Sequence, residues 1–303
     1  MSNPQTNLVT TVTYDTAGTQ GWTSIAHTHD PLGFLVAKVT TMDNGSTQSE
    51  TFFGPQRLSL TVTDTAANNA NWASRTTEWD WQGNRTARTT VEDDGDIRTE
   101  NYDATTGQRI ARIDIDHSDS QSWFSKSTFF DPTGKIKIGT EKVDDNGRID
   151  TITFDVGTGA RSSRTITDGG DTQNWHSISM QFDVQTGKKT EQTKLFDDQS
   201  SETLEWSNGK LATRTEVDGT ADSFDWVSRE TVYDHKGKVA QVTLHQDDTD
   251  LIVQSYAGGT LIDQTTYDNS GNAAWHVQEI TYDGAGNVTD TQYFDETGNV
   301  LFL

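Results

Sequence analysis

Cysteine is absent from these 303 residues, so neither a disulfide framework nor a cysteine metal site can form. Proline occurs four times and methionine three. Apolar residues are also scarce: they make up 31%, and the 25 glycines bring the total to roughly 39%, against about 45–50% in ordinary globular chains. Basic residues are outnumbered two to one, 23 against 46, leaving a net charge of −23. That balance opposes phosphate backbones and anionic lipid surfaces, so no nucleic acid is expected as a partner. No apolar run is long enough to span a bilayer, so no membrane insertion is expected, and residues 1–15 lack the basic region and apolar core of a cleaved signal. Helical periodicity is missing as well, because no long segment places apolar residues at i, i+3, i+4 and i+7.

What is present is aromatic and repetitive. Nine Trp, seven Tyr and twelve Phe recur at fixed offsets, which argues for a folded chain with a thin, aromatic-dependent core. The stretch WFSKSTFFDPTG, residues 123–134, shows the figure: a Trp, an aromatic seven residues on, then Asp, then a turn Gly. It recurs from Trp22, Trp72, Trp175, Trp226 and Trp275, at a period of about 51 residues. Within one period, runs at 72–79, 85–91, 97–102 and 110–115 read as strands separated by Asp- and Gly-rich turns. Asp43-Asn44-Gly45 and Asp145-Asn146-Gly147 supply the left-handed positions of tight hairpins. Asp197-Asp198 and Asp247-Asp248 keep the acids without the Gly, so looser turns are expected there.

The whole chain, 1–303, therefore reads as one all-β repeat domain of six tandem four-stranded antiparallel units. One strand at 8–14, five full copies and three further strands, the last at 300–303, make 24, which suits a six-bladed β-propeller closed by the two terminal strands. The alternative is an open single-layer or spiral array of hairpins, which suits the low apolar content.

The aromatic-Asp-x-x-Gly turns resemble YD repeats, the family that includes the RHS proteins. The matching residues are Tyr14-Asp15-Thr16-Ala17-Gly18, Tyr267-Asp268-Asn269-Ser270-Gly271 and Tyr282-Asp283-Gly284-Ala285-Gly286, with Phe130-Asp131-Pro132-Thr133-Gly134 and Phe294-Asp295-Glu296-Thr297-Gly298 carrying Phe for Tyr. The resemblance implies an extracellular hairpin protein of the sort that encloses a toxin or binds carbohydrate. The chain departs from the family in the added Trp of each period, in a length too short for an enclosing shell, and in having no non-repetitive toxin-like end. The Trp-bearing, Asp-rich period is also similar to tandem repeats of large proteobacterial proteins exported in one step.

Candidate ligand-binding residues are Trp22, Trp72, Trp123, Trp175, Trp226 and Trp275, because indole faces make rigid amphipathic platforms for sugar rings. The competing reading has each Trp filling the seam between units. Loops holding Asp168, Asp171, Asp218 and Asp222 offer several oxygens, as calcium requires, and compete with a reading of plain acidic turn formers. His27 and His29 share one strand face without a third ligand at recognisable spacing, and nucleophile-elbow and phosphate-loop motifs are missing, so no enzyme is expected. The leading expectation is a secreted, non-catalytic protein that binds carbohydrate or another surface ligand in adhesion, exported without a cleaved N-terminal signal. A cytoplasmic location is the alternative. The alternative function is a structural or self-assembling repeat whose end strands pair between molecules.

Overall fold

The structure, a computed structural model, describes residues 7–65, 70–219 and 224–302. Among the described residues there is no helix, and 24 strands follow one another in the numbers the repeat requires. The chain divides into two compact units, one of Met1–Asn146 with Thr153–Gly159 and one of Gly147–Ile152 with Ala160–Leu303.

The first unit holds β1 (Val9–Tyr14), β2 (Trp22–His29), β3 (Leu35–Met42), β4 (Thr47–Phe53), β5 (Gln56–Thr63), β6 (Trp72–Trp79), β7 (Arg85–Glu92), β8 (Ile97–Tyr102), β9 (Arg109–Ile115), β10 (Trp123–Phe130) and β11 (Lys137–Asp144). Each is antiparallel to its successor, from Val9 opposite His29 to Trp123 opposite Asp144. The strand β12 (Arg148–Phe154) contributes to both units. The second unit continues with β13 (Arg161–Asp168), β14 (Trp175–Phe182), β15 (Lys189–Phe196), β16 (Ser201–Ser207), β17 (Lys210–Val217) and β18 (Trp226–Tyr233). It ends with β19 (Val239–Gln246), β20 (Leu251–Ala257), β21 (Thr260–Tyr267), β22 (Val277–Tyr282), β23 (Val288–Phe294) and β24 (Val300–Leu301). Again each strand pairs with the next.

This pairing corrects the propeller expectation. Blades would break the ladder after every fourth strand, yet β5 pairs with β6, β9 with β10, β13 with β14, β17 with β18 and β21 with β22. The sheet is not closed, and β1 is registered against β2 alone among the described strands. The open hairpin array fits. The repeat could not decide this point, because a four-strand period looks the same whether the loop before each Trp links separate blades or turns a hairpin.

A hairpin array of this kind leaves little to bury. Among the described residues only Ala111, Ile166, Trp226 and Val242 are buried apolar residues, and no large side chain is fully enclosed. The more protected face is the one carrying the Trp series. Thr40, Thr90, Ile166, Trp226, Thr231 and Val242 are buried on that face, which in the first unit also carries the ion pairs Arg98–Asp114 at 2.9 Å and Arg112–Asp114 at 2.7 Å. The opposite face carries small and β-branched residues, for instance Ser127 opposite Ile113 and Val91 opposite Ile97. Thr side chains bridge strands on that face, as in Thr61 to Thr76 at 2.9 Å. β-branched residues suit a pleated, half-buried surface, which explains why a chain poor in Leu-type bulk still forms sheet.

Candidate functional site

Five of the six candidate Trp open a strand at a β-bulge. The register slips between Trp22 and Ser24, Trp72 and Ser74, Trp123 and Ser125, Trp175 and Ser177, and Trp226 and Ser228. The extra residue turns the indole onto the face of the side chain three positions later. Arg75 accordingly stacks over Trp72 at 4.5 Å and Lys126 over Trp123 at 4.2 Å. Trp226 is covered by Phe224, with centroids 4.7 Å apart and planes 13° from parallel. Trp275 differs, because it lies before β22 without a bulge and tilts against Tyr293 at 6.0 Å. The six positions are thus equivalent in the chain and unequal in space. Only Trp226 is buried, and the others are half-exposed.

The loop leading to each Trp is built on its Asp. Backbone N–H groups of Asp15, Asp64, Asp116, Asp218 and Asp268 donate to the carbonyl of the residue after the Trp, at 2.8 to 3.1 Å. The carboxylates then accept from the loop. Asp116 takes Gln121 N–H at 2.6 Å and Ser118 Oγ at 2.9 Å, Asp168 takes Gln173 N–H at 2.6 Å and Thr172 N–H at 2.7 Å, and Asp268 takes Ala273 N–H at 2.8 Å and Asn272 N–H at 3.0 Å. Burial would raise these three acids. The amides and hydroxyls around them outweigh it and hold all three below the usual carboxylate range.

Of the calcium candidates, Asp168 thus spends its oxygens on its own loop. Asp171 stands exposed at φ 52°, Asp218 accepts from Gly219 N–H at 2.9 Å and Phe224 N–H at 3.2 Å, and Asp222 lies outside the described residues. No group of three or more His, Asp or Glu is placed to hold a metal among the described residues. His27 and His29 do share a face, with ring centroids 6.4 Å apart.

Two of the candidate Trp line clefts among the described residues. One, of about 370 Å³, lies beside Trp123 and is walled by Gln121, Lys126, Glu92 and the Arg98–Asp114–Arg112 network. The other, of about 240 Å³, lies beside Trp275 with His276, Asp295 and Glu296. An indole flanked by amide, guanidinium and carboxylate groups can stack on a sugar ring and hydrogen-bond its hydroxyls. The sequence period named these indoles but could not show that two of them border clefts while Phe224 screens Trp226.

No family model matches the sequence, and no curated protein matches it. Among solved structures the chain is similar, over 93% of its length, to the crystal structure of TcdB2-TccC3 without its hypervariable C-terminal region, at 15% identity and a TM-score of 0.22. It spans 15% of the length of that chain.

Proposed function

We propose that this chain is a non-catalytic, extracellular repeat sheet of the YD/RHS kind that binds neutral carbohydrate in adhesion, at the end of its strands where the Trp stand. The observation that carries the reading is the cleft beside Trp123. It is large enough for a sugar ring and joins an indole to charged and amide groups whose geometry is already fixed by ion pairs. Preorganised donors and acceptors lose little entropy on binding. The smaller cleft beside Trp275 sets an indole beside the His276 imidazole and the Asp295 and Glu296 carboxylates, which can also hydrogen-bond sugar hydroxyls. Trp226 serves instead as packing, since Phe224 covers it.

A glycan array followed by calorimetry on the best hit tests this. Trp123→Ala should weaken binding at least tenfold with an unchanged strand signal in circular dichroism, and Trp275→Ala should give a second, smaller loss. A wild-type protein that retains no glycan, or affinity that is the same in both variants, would remove the proposal.

A further inference from the structure

The turns at the other end of the strands have a different character. In a chain of net charge −23, the three successive turns β14–β15, β16–β17 and β18–β19 carry Lys188, Lys189, Lys210, Lys236 and Lys238. Their only acids are Asp183 and Asp234. Those two carboxylates are occupied by their own turns. Asp183 accepts from Thr186 N–H at 2.6 Å and Gln185 N–H at 3.1 Å, and Asp234 from Lys236 N–H at 2.8 Å and Lys238 N–H at 2.9 Å. Glu191 and Glu205 are paired across β15 and β16 and project from the face opposite Trp206. The local sign is therefore the reverse of the molecule's. The acidic loops at the far end of eight-residue strands lie roughly 27 Å away, well beyond a Debye length of about 8 Å at physiological salt.

Aromatic rings interleave with these cations. Lys189 lies over Trp206 at 4.0 Å, and a cleft of about 150 Å³ joins Trp206 to Lys188. A second, of about 300 Å³, runs from Lys210 to Tyr233 and His235, with Lys210 Nζ held by the His235 carbonyl at 2.8 Å. Alternate turns recur every two strands, about 9.5 Å apart, which is of the order of one disaccharide along an extended glycan.

We propose that the β14–β19 turns form a binding strip for an acidic polysaccharide. Its carboxylates pair with the lysines while its sugar rings rest beside Trp206 and Tyr233. This strip is separate from the clefts beside Trp123 and Trp275, and its success or failure is independent of theirs. Calorimetry with oligogalacturonate and with its methyl ester, the same sugar without charge, tests it. Oligogalacturonate should bind, with affinity falling as salt rises, and the ester should bind at least tenfold more weakly. Lys188→Gln, Lys210→Gln and Lys236→Gln combined should cost at least tenfold, whereas the three Lys→Arg changes, which keep the charge, should retain binding. Trp123→Ala should leave this binding unaltered. Equal binding of poly-glutamate would assign the strip to an acidic protein, and sedimentation of the free protein as a lysine-dependent oligomer would assign it to a second copy. Either result, or no binding of the uronate, would overturn the proposal.

Discussion

Thr249 and Gln199 show how strictly the hairpin geometry is imposed on single residues. The turns that lack Gly do not loosen as their composition suggests; they keep the geometry of the others. Gln199 and Thr249 adopt φ 69° and 79°, where Gly45, Gly95 and Gly147 take 84°, 94° and 83°. Thr249 N–H still bonds the Gln246 carbonyl at 3.1 Å, as Gly95 N–H bonds that of Glu92 at 3.1 Å. A β-branched residue there is strained, and the left-handed region costs L-residues about 1–2 kcal/mol, partly offset by the entropy a glycine loses on folding. Thr249→Gly should therefore stabilise the protein by about 0.5–1 kcal/mol, read as a higher urea midpoint, and an unchanged or lower midpoint would contradict this. The loop acids predict a pH response. Asp116, Asp168 and Asp268 have folded pKa values below their unfolded ones, so their contribution is complete above the usual carboxylate range and fades as pH falls through the depressed values. Asp145 acts in the other direction: burial and the neighbouring Asp119, Asp116 and Asp144 raise its pKa, so protonation relieves it. These three and the turn acids such as Asp80, Asp103, Asp131, Asp155, Asp183 and Asp283 are all depressed against the one raised Asp145, so the melting temperature should drop steadily below about pH 4. A melting temperature that rises between pH 4 and pH 3 would refute the assignment of these acids as loop caps.

At the scale of the element, the unit is a hairpin whose Trp-led strand begins with a bulge. Strand positions and number were legible in the sequence because Asp- and Gly-rich turns and alternating Thr, Val and Ile are local signals, and all 24 strands formed where the turns allowed. Two things were not legible. The bulge beside five of the Trp is hidden at the slipped position itself, where Thr23, Ala73, Phe124, His176 and Val227 share no chemistry, and its one mark is the Ser that follows, Ser24, Ser74, Ser125, Ser177 and Ser228, which is Val277 after the unbulged Trp275. The pairing of β9 with β10 is equally hidden, since it depends on how the loop before Trp123 folds back. The candidate site was half legible for the same reason: the period found six indoles, and the packing of Phe224 and Arg75 distinguishes them. These differences predict unequal effects of truncation. Trp226, 8% exposed and stacked on Phe224, should cost about 3 kcal/mol or more as Trp226→Ala. The half-exposed Trp22 should cost clearly less as Trp22→Ala, and equal losses in urea titrations would mean the seam-filling reading holds for every copy.

Across the whole molecule, every strand-to-strand contact among the described residues joins neighbours in sequence. Within each unit no core is shared by distant strands among the described residues, and stability in such an array is approximately a sum of unit terms and nearest-neighbour terms. One period should then be removable. Deleting residues 72–122 leaves β5 followed by the Trp123-led strand, and the register already used by both joints, Thr63 opposite Ser74 and Ile115 opposite Ser125, would place Thr63 opposite Ser125. A closed ring would lose its closure on such a deletion, and a protein with a common core would lose its packing. The open array should instead fold, keep its strand signal per residue, and unfold in urea with a slope smaller by roughly a sixth, because the slope follows the surface exposed on unfolding. The deleted chain should also retain the cleft beside Trp275, so any glycan bound there by the parent would still bind. Collapse of the strand signal in this variant would show that the copies depend on one another beyond their immediate neighbours.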